Sequence, residues 1–143
     1  MRFETELWLP ARRADVFAFF ADAANLEAIT PPWLRFHVET PTPVTMARGA
    51  LIDYRLRVHG IPLRWRAEIT AWDPPHRFVD EQRRGPYHRW RHTHTFTEER
   101  GGTRVADAVE FEAPGGSLVT RLVARDVRRI FEYRRGMLHR IFS

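Results

Sequence analysis

Two histidines separated by one residue, His92 and His94, occupy an alternating segment, HRWRHTHTF, in which His88 and Trp90 share their parity. Residues of one parity on a strand project from one face of a sheet. Two acidic residues, Asp80 and Asp107, fall at same-face positions of the flanking segments, and the register derived below predicts both opposite His92. Carboxylates beside an imidazole set its tautomer and its pKa, so His92 could act as a general base or hydrogen-bond a ligand. A row of this kind could equally be a buried polar network that satisfies itself and fixes strand register. His92, Asp80 and Asp107 are therefore the catalytic candidates.

Other chemistries find less support. A metal ion shared by His92 and His94 is disfavoured, because same-face residues two apart stand about 7 Å from one another along a strand. With no HExxH pattern and no cysteine, no metal site is expected, and the missing thiols exclude disulfides and thiolate catalysis. Ser117 and Ser143 are the only serines and no GxSxG elbow exists; GxGxxG and Walker loops are likewise absent, so no cofactor is expected.

The elements that must position this row can be read from periodicity. Residues 2 to 9 alternate, with Phe3, Thr5, Leu7 and Leu9 against Arg2, Glu4, Glu6 and Trp8. Pro10 then precedes a stretch with helical spacing at Val16, Phe19 and Phe20, and Asp22 to Thr30 predicts a second short helix stopped by Pro31 and Pro32. Six more strands are expected over 33–39, 50–58, 61–72, 77–84, 88–97 and 103–112, joined by short turns that make neighbours antiparallel.

A two-residue His59-Gly60 turn puts Tyr54 opposite Trp65 and Leu56 opposite Leu63, so Ile52, Val58, Ala67 and Ile69 share their face. Carried through a four-residue DPPH loop and a three-residue Gly85-Pro86-Tyr87 loop, that face selects Phe78, Asp80 and Gln82, then His88, Trp90, His92, His94 and Phe96. The last hairpin adds Thr103, Val105, Asp107, Val109 and Phe111. The opposite face is rich in Arg and Glu, with Asp53 facing Arg66, Glu81 facing Arg91 and Arg89 facing Glu110. It reads as a solvated, cross-paired surface.

Beyond Pro114-Gly115-Gly116, Ser117 is expected to cap a long helix. Its apolar stripe is Val119, Leu122, Val123, Val127, Ile130, Met137 and Ile141, with Phe131 and Leu138 at the margin. Asp126 and Arg134 interrupt that arc and should point toward the sheet, unless they snorkel or Asp126 bonds Arg129 one turn on.

The 143 residues suit one domain, 1-143, with 43% hydrophobic and 29% charged residues. The net charge is +5, with arginine as the only basic residue type besides histidine. No apolar run could span a bilayer and the first residues lack the order of a signal peptide, so a cytoplasmic location is expected.

The runs FVDEQRRGPYHRWRHTHTF, GGTRVADAVEFEAPGG and IFEYRRGML, in the order strand, two short helices, meander, long helix, resemble the START-like, or SRPBCC, helix-grip superfamily. The likeness is to its bacterial polyketide-cyclase-like ligand-binding branch, also found fused to epimerase-like domains. It implies an α+β fold: a curved antiparallel sheet of about seven strands wrapped around the C-terminal helix, with two short helices between strands 1 and 2. It also implies an apolar cavity between sheet and helix, and no nicotinamide site. The motif positions it carries are Phe78, Asp80, Gln82, Trp90, His92, His94, Thr103, Asp107, Tyr133 and Arg134.

The leading expectation is a non-catalytic binder or carrier of a hydrophobic small molecule, such as a lipid, polyketide or isoprenoid-like compound. The expected ligand-binding residues are Tyr54, Trp65, Phe78, Asp80, Gln82, Trp90, His92, His94, Asp107, Phe111, Asp126, Ile130 and Arg134. One alternative is an enzyme of cyclase, dehydratase or hydrolase type with His92 as base. Another is an interaction module whose arginine face binds RNA or protein, although paired charges do not favour nucleic acid as a partner.

Overall fold

Alternation of apolar and polar side chains along most of the chain produces seven strands, which form one antiparallel sheet in the computed structural model of residues 1–143. The strands are β1 (Arg2–Leu9), β2 (His37–Val38), β3 (Leu51–Val58), β4 (Ile61–Asp73), β5 (Arg77–Arg84), β6 (Arg89–Glu99) and β7 (Gly102–Glu112). Their order is β1-β7-β6-β5-β4-β3-β2, so the first strand closes beside the last. Helix α1 (Arg13–Ala21) and two 3-10 helices (Ala23–Ile29 and Pro32–Leu34) link β1 to β2, and helix α2 (Ser117–Ile141) ends the chain.

The pairing of β3 with β4 is the expected one: Tyr54 opposes Trp65 and Leu56 opposes Leu63. His59 and Gly60 both have positive φ, 51° and 80°, which is the two-residue turn that matches strand twist. Strands β4 and β5 carry two register shifts, one between Arg66 and Ala67 that leaves Arg83 unpaired, and one nearer the turn that offsets the length of the loop. The connecting loop is three residues long, since Asp73 pairs with Arg77, and Thr70 is left over where the register shifts between Ile69 and Ala71. One residue fewer in the loop and one more in the strand return Ile69 to Asp80, the pairing expected from a four-residue loop.

The last hairpin differs from expectation. Its turn is only Arg100-Gly101, both with positive φ, and Glu99 pairs with Gly102. Asp107 therefore lies opposite His94, and His92 opposite Val109; only Asp80 is opposite His92. The shift is by two residues, so the inner face is unchanged: Thr103, Val105, Asp107, Val109 and Phe111 are all buried. On the other face Arg66 holds Asp53 through two hydrogen bonds of 2.8 and 3.2 Å, and Arg89 reaches Glu110 at 3.1 Å although its backbone partner is Glu112.

Three further expectations are corrected. The strand expected over 33–39 is reduced to His37–Val38, because Pro31 and Pro32 set φ values that start a 3-10 turn instead. The helix expected over 22–30 is also 3-10, with the Asp22 carboxylate accepting from the Ala24 amide. Ser117 is the first residue of α2 rather than its cap: Gly116, at φ 87°, holds that position without a side-chain bond. The Thr120 hydroxyl instead donates to the Gly116 carbonyl and accepts from the Ala113 amide.

The face of α2 that meets the sheet centres on Thr120, Val127, Phe131 and Leu138, all buried, while Val119, Leu122 and Ile141 are exposed. The stripe is thus rotated toward Phe131 and Leu138, which the helical wheel puts at its margin. Helix α2 packs on β1, β7 and the first 3-10 helix. At one end α1 inserts Val16, Phe17 and Phe20 into a large apolar core that includes Leu138; a smaller cluster of Val109, Phe111, Val127 and Phe131 forms further along α2. Between α2 and strands β3 to β6 space remains.

Candidate functional site: a cavity with a polar floor

That space is a cavity of about 960 Å³, lined from the sheet by Tyr54, Leu56, Trp65, Trp90, His92 and His94. Helix α2 contributes Leu122, Val123, Asp126, Ile130, Phe131 and Arg134 to the opposite wall, and the second 3-10 helix brings Trp33 and Leu34 to the rim. Trp65 stands edge-on to both Trp90 and Tyr87, with centroids 5.3 and 5.6 Å apart. Offset and edge-to-face contacts of this kind hold large rings in place, so the indoles line the cavity without filling it.

The most deeply buried polar side chains of the cavity gather around His92 and His94, while His59, Arg125, Asp126 and Arg129 also line it. His92 Nε2 donates to Asp107 Oδ1 at 2.7 Å, and His94 Nε2 donates to Asp80 Oδ2 at 2.6 Å. The two bonds cross the backbone pairing: each imidazole bonds the carboxylate diagonal to it, two residues displaced from its own partner. The rings stack with centroids 3.6 Å apart, and His94 also stacks on Phe78 at 4.0 Å. In this way each imidazole is paired with a carboxylate where water is largely excluded, while His94 Nδ1 stays buried without a partner, 3.6 Å from Asp107 Oδ1.

Burial pushes His94 toward its neutral form, and neighbouring His92 adds to this, so its pKa falls from 6.5 to about 4 despite its bond to Asp80. Burial opposes charge on Asp80 and Asp107 as well. There the hydrogen bonds from His94 and His92, helped by the charge of Arg134, prevail and hold both carboxyls below their usual range. Arg134 is itself drawn down by burial, against the pull of Asp107 and Asp80. Its guanidinium lies 5.0 Å from the centre of the Phe131 ring, and Nε and Nη1 are buried without a hydrogen-bond partner.

Of the thirteen residues expected to bind ligand, nine line the cavity: Tyr54, Trp65, Asp80, Trp90, His92, His94, Asp126, Ile130 and Arg134. The other four lie behind the wall. Phe78 supports His94, and Asp107, its side chain 2% exposed, supports His92. Gln82 clamps the turn after β5 by bonding both the amide and the carbonyl of Tyr87, and Phe111 belongs to the small apolar cluster. Thr103 bonds the Ala11 carbonyl just beyond the end of β1, while Tyr133 packs on Trp33.

Asp126 does not bond Arg129; it accepts from His59 at 3.0 Å, tying α2 to the β3–β4 turn at the rim. Sequence reasoning missed that contact, and it missed Trp33, Tyr87 and Phe131 as wall residues. Trp33 and Tyr87 lie outside regular strands, where parity is silent, and Phe131 sits at the margin of the helical stripe although it is buried.

Asp80, His92 and His94 offer ligand atoms all within 4.8 Å of one another. The side chains thus converge more than the 7 Å spacing suggested. Both Nε2 atoms, however, are engaged with carboxylates, His92 with Asp107 on β7 and His94 with Asp80 on β5.

A seven-stranded sheet gripping a terminal helix, with a cavity between them, defines a START-like protein of ligand-binding architecture. The sequence signature described as polyketide cyclase / dehydrase and lipid transport matches residues 9–137, and the chain belongs to that family. Among solved structures it is similar to a protein of Thermus thermophilus, with 27% identity, a TM-score of 0.69, and 98% of this chain and 95% of that one covered. A protein of Chromobacterium violaceum aligns with a TM-score of 0.78 at 12% identity over 99% and 96% of the two chains. Ginseng major latex-like protein 151 from Panax ginseng aligns with a TM-score of 0.71 at 9% identity over 99% and 97%. No curated protein sequence matches the chain. No helix is long and apolar enough to cross a membrane.

Proposed function

We propose that the protein binds or carries a hydrophobic small molecule of lipid, polyketide or isoprenoid-like character in the cavity between its sheet and α2. The observation that carries this reading is the cavity itself: about 960 Å³, within the range of small-molecule sites, with sixteen hydrophobic residues among the 28 that line it. Burying apolar ligand surface there gains roughly 25 cal/mol per Å² before the costs of association. Membership of a family described by cyclase, dehydrase and lipid-transport functions is consistent with it. The test is native mass spectrometry of the purified protein, followed by organic extraction. A discrete apolar compound bound by the wild type and lost in Trp90→Ala is the expected result. A protein that is empty and takes up nothing from a diverse lipid panel would sink the proposal.

A second reading, a dehydratase or hydrolase-type enzyme with His92 as general base, is favoured by one feature. His92 lines the cavity while its Nε2 is fixed on buried Asp107, leaving Nδ1 as the nitrogen able to accept a proton. If a turned-over substrate is found, His92→Gln should abolish turnover while leaving binding within severalfold of wild type.

A further inference from the structure

Arg134 is the one arginine whose buried donors have no partner inside the cavity region: Nε and Nη1 are enclosed and unbonded, and the side chain lines the ligand space. A buried N–H without an acceptor is costly, so the site is incomplete as it stands. The nearby carboxylates do not complete it. Asp80 and Asp107 are spent on His94 and His92, and neither comes within ion-pair distance of Arg134. A second donor faces the same end: Tyr54 lines the cavity and feels both Asp80 and Arg134, and burial keeps its hydroxyl protonated.

An anionic head group is the obvious partner for an arginine, but the charges around Arg134 argue otherwise. Two ionised carboxylates already face this single fixed cation, and the His94 imidazole between them is neutral. A third negative charge would enter a region of low dielectric beside an arginine that already faces two carboxylates, with Arg125 and Arg129 on the helix wall rather than among the His–Asp group. A neutral oxygen, by contrast, accepts from the guanidinium and the phenol without adding charge.

We propose that the polar end of the cavity receives a neutral oxygen acceptor, a ketone or comparable carbonyl, at the inner end of an otherwise apolar ligand, held by Arg134 and Tyr54. This rests on the hydrophobic-ligand reading above and assigns the ligand's orientation, polar end inward and apolar body between Trp65, Trp90 and Ile130. Binding is tested by displacement of Nile red, a neutral apolar dye, at pH 8, with nonane, 2-nonanone and nonanoate as competitors of matched length. The ketone is expected to bind about tenfold more tightly than either the hydrocarbon or the carboxylate, the scale of one hydrogen bond from a charged donor. Arg134→Met should bring the ketone to the level of nonane measured on the same variant; Tyr54→Phe, which preserves the ring, should remove part of the advantage.

Tightest binding of nonanoate, or a ketone advantage that survives both substitutions, would overturn the proposal. Equal binding of ketone and nonane by the wild type would overturn it while leaving the hydrophobic cavity standing. Failure of Nile red and all three competitors to bind would remove the hydrophobic-ligand reading and this inference together. Should Arg134→Met fail to fold by circular dichroism, Tyr54→Phe and Arg134→Gln carry the comparison.

Discussion

The imidazoles of His92 and His94 are stacked 3.6 Å apart, yet each is bonded to a carboxylate on a different neighbouring strand, His92 to Asp107 on β7 and His94 to Asp80 on β5. Three strands are cross-tied at one level by groups that have lost their water. Removing one partner leaves the other unsatisfied. Asp107→Ala is therefore expected to cost about 2–3 kcal/mol in urea unfolding, the desolvation cost of an orphaned buried donor. The exposed pair Asp53–Arg66 gives the contrast: both side chains are 41% exposed, and Arg66→Ala should cost under about 1 kcal/mol. Equal losses at the two sites would show that the His–Asp group is hydrated and not a buried network.

Acid should weaken the fold in two stages. The folded chain holds His94 neutral down to about pH 4, whereas the unfolded chain takes up that proton near 6.5. The unfolded state thus binds more protons in that window, and stability falls as pH drops from 6.5 toward 4 by an amount on the order of 3 kcal/mol at most. Asp80 and Asp107, held below their ordinary 3.8, contribute stability that is present above 3.8 and lost as pH falls through their lower folded values. Urea midpoints at pH 7, 5 and 4 measure the first stage, and His94→Gln should flatten it. A wild-type slope retained in that variant would assign the weakening to other groups.

Two glycines should respond to alanine in opposite directions. Gly136 lies within α2, is exposed and has nothing near the position of a Cβ, so Gly136→Ala is expected to stabilise by about 0.4–1 kcal/mol. Gly102 begins β7 where a Cβ would meet the Leu9 carbonyl and the Trp8 ring, the latter at 2.7 Å. Gly102→Ala should destabilise by about 1–3 kcal/mol. Thermal unfolding of the pair gives the signs directly, and a stabilised Gly102→Ala would mean that β1 can move off β7 at no cost.

Helix α1 should depend on one aromatic side chain. Phe17 touches the rings of Trp72, Phe78 and Phe96 with centroids 5.1 to 5.9 Å apart, and it is 5% exposed. Phe17→Ala should cost about 3–5 kcal/mol. Phe19, which contacts Phe20 and Phe142 nearer the surface, should cost less when truncated. If the order is reversed, α1 is anchored by its contact with the end of α2 and not by the sheet.

The same helix shows where the sequence was legible. Apolar spacing located α1, but Val16, Phe19 and Phe20 were preferred to Phe17 because a nine-residue helix that is apolar on most sides has no sharp wheel. Strands β3 to β7 were readable because one face of each is sealed by core or cavity and the other meets water, so burial writes itself as parity. Parity is blind to displacements of two, which is why Asp107 was expected opposite His92 while its face was right. It is also blind to what lies behind a wall: Phe78, Gln82, Asp107 and Phe111 share the inner face with true lining residues and differ from them only in depth. The ring pairing of the histidines was beyond reach, since it depends on side-chain rotation across strands.

The extra residue at Thr70 bears on how such a chain can change its length. An alternating strand behaves like a code with an even–odd check: losing one residue from a loop exchanges the inside and outside of everything downstream. Here the short turn before β5 and the surplus residue in β4 cancel, so Asp80 still meets His92. Insertions and deletions around this hairpin are tolerable in compensating pairs, or in twos, and a single one should invert the wall of the cavity.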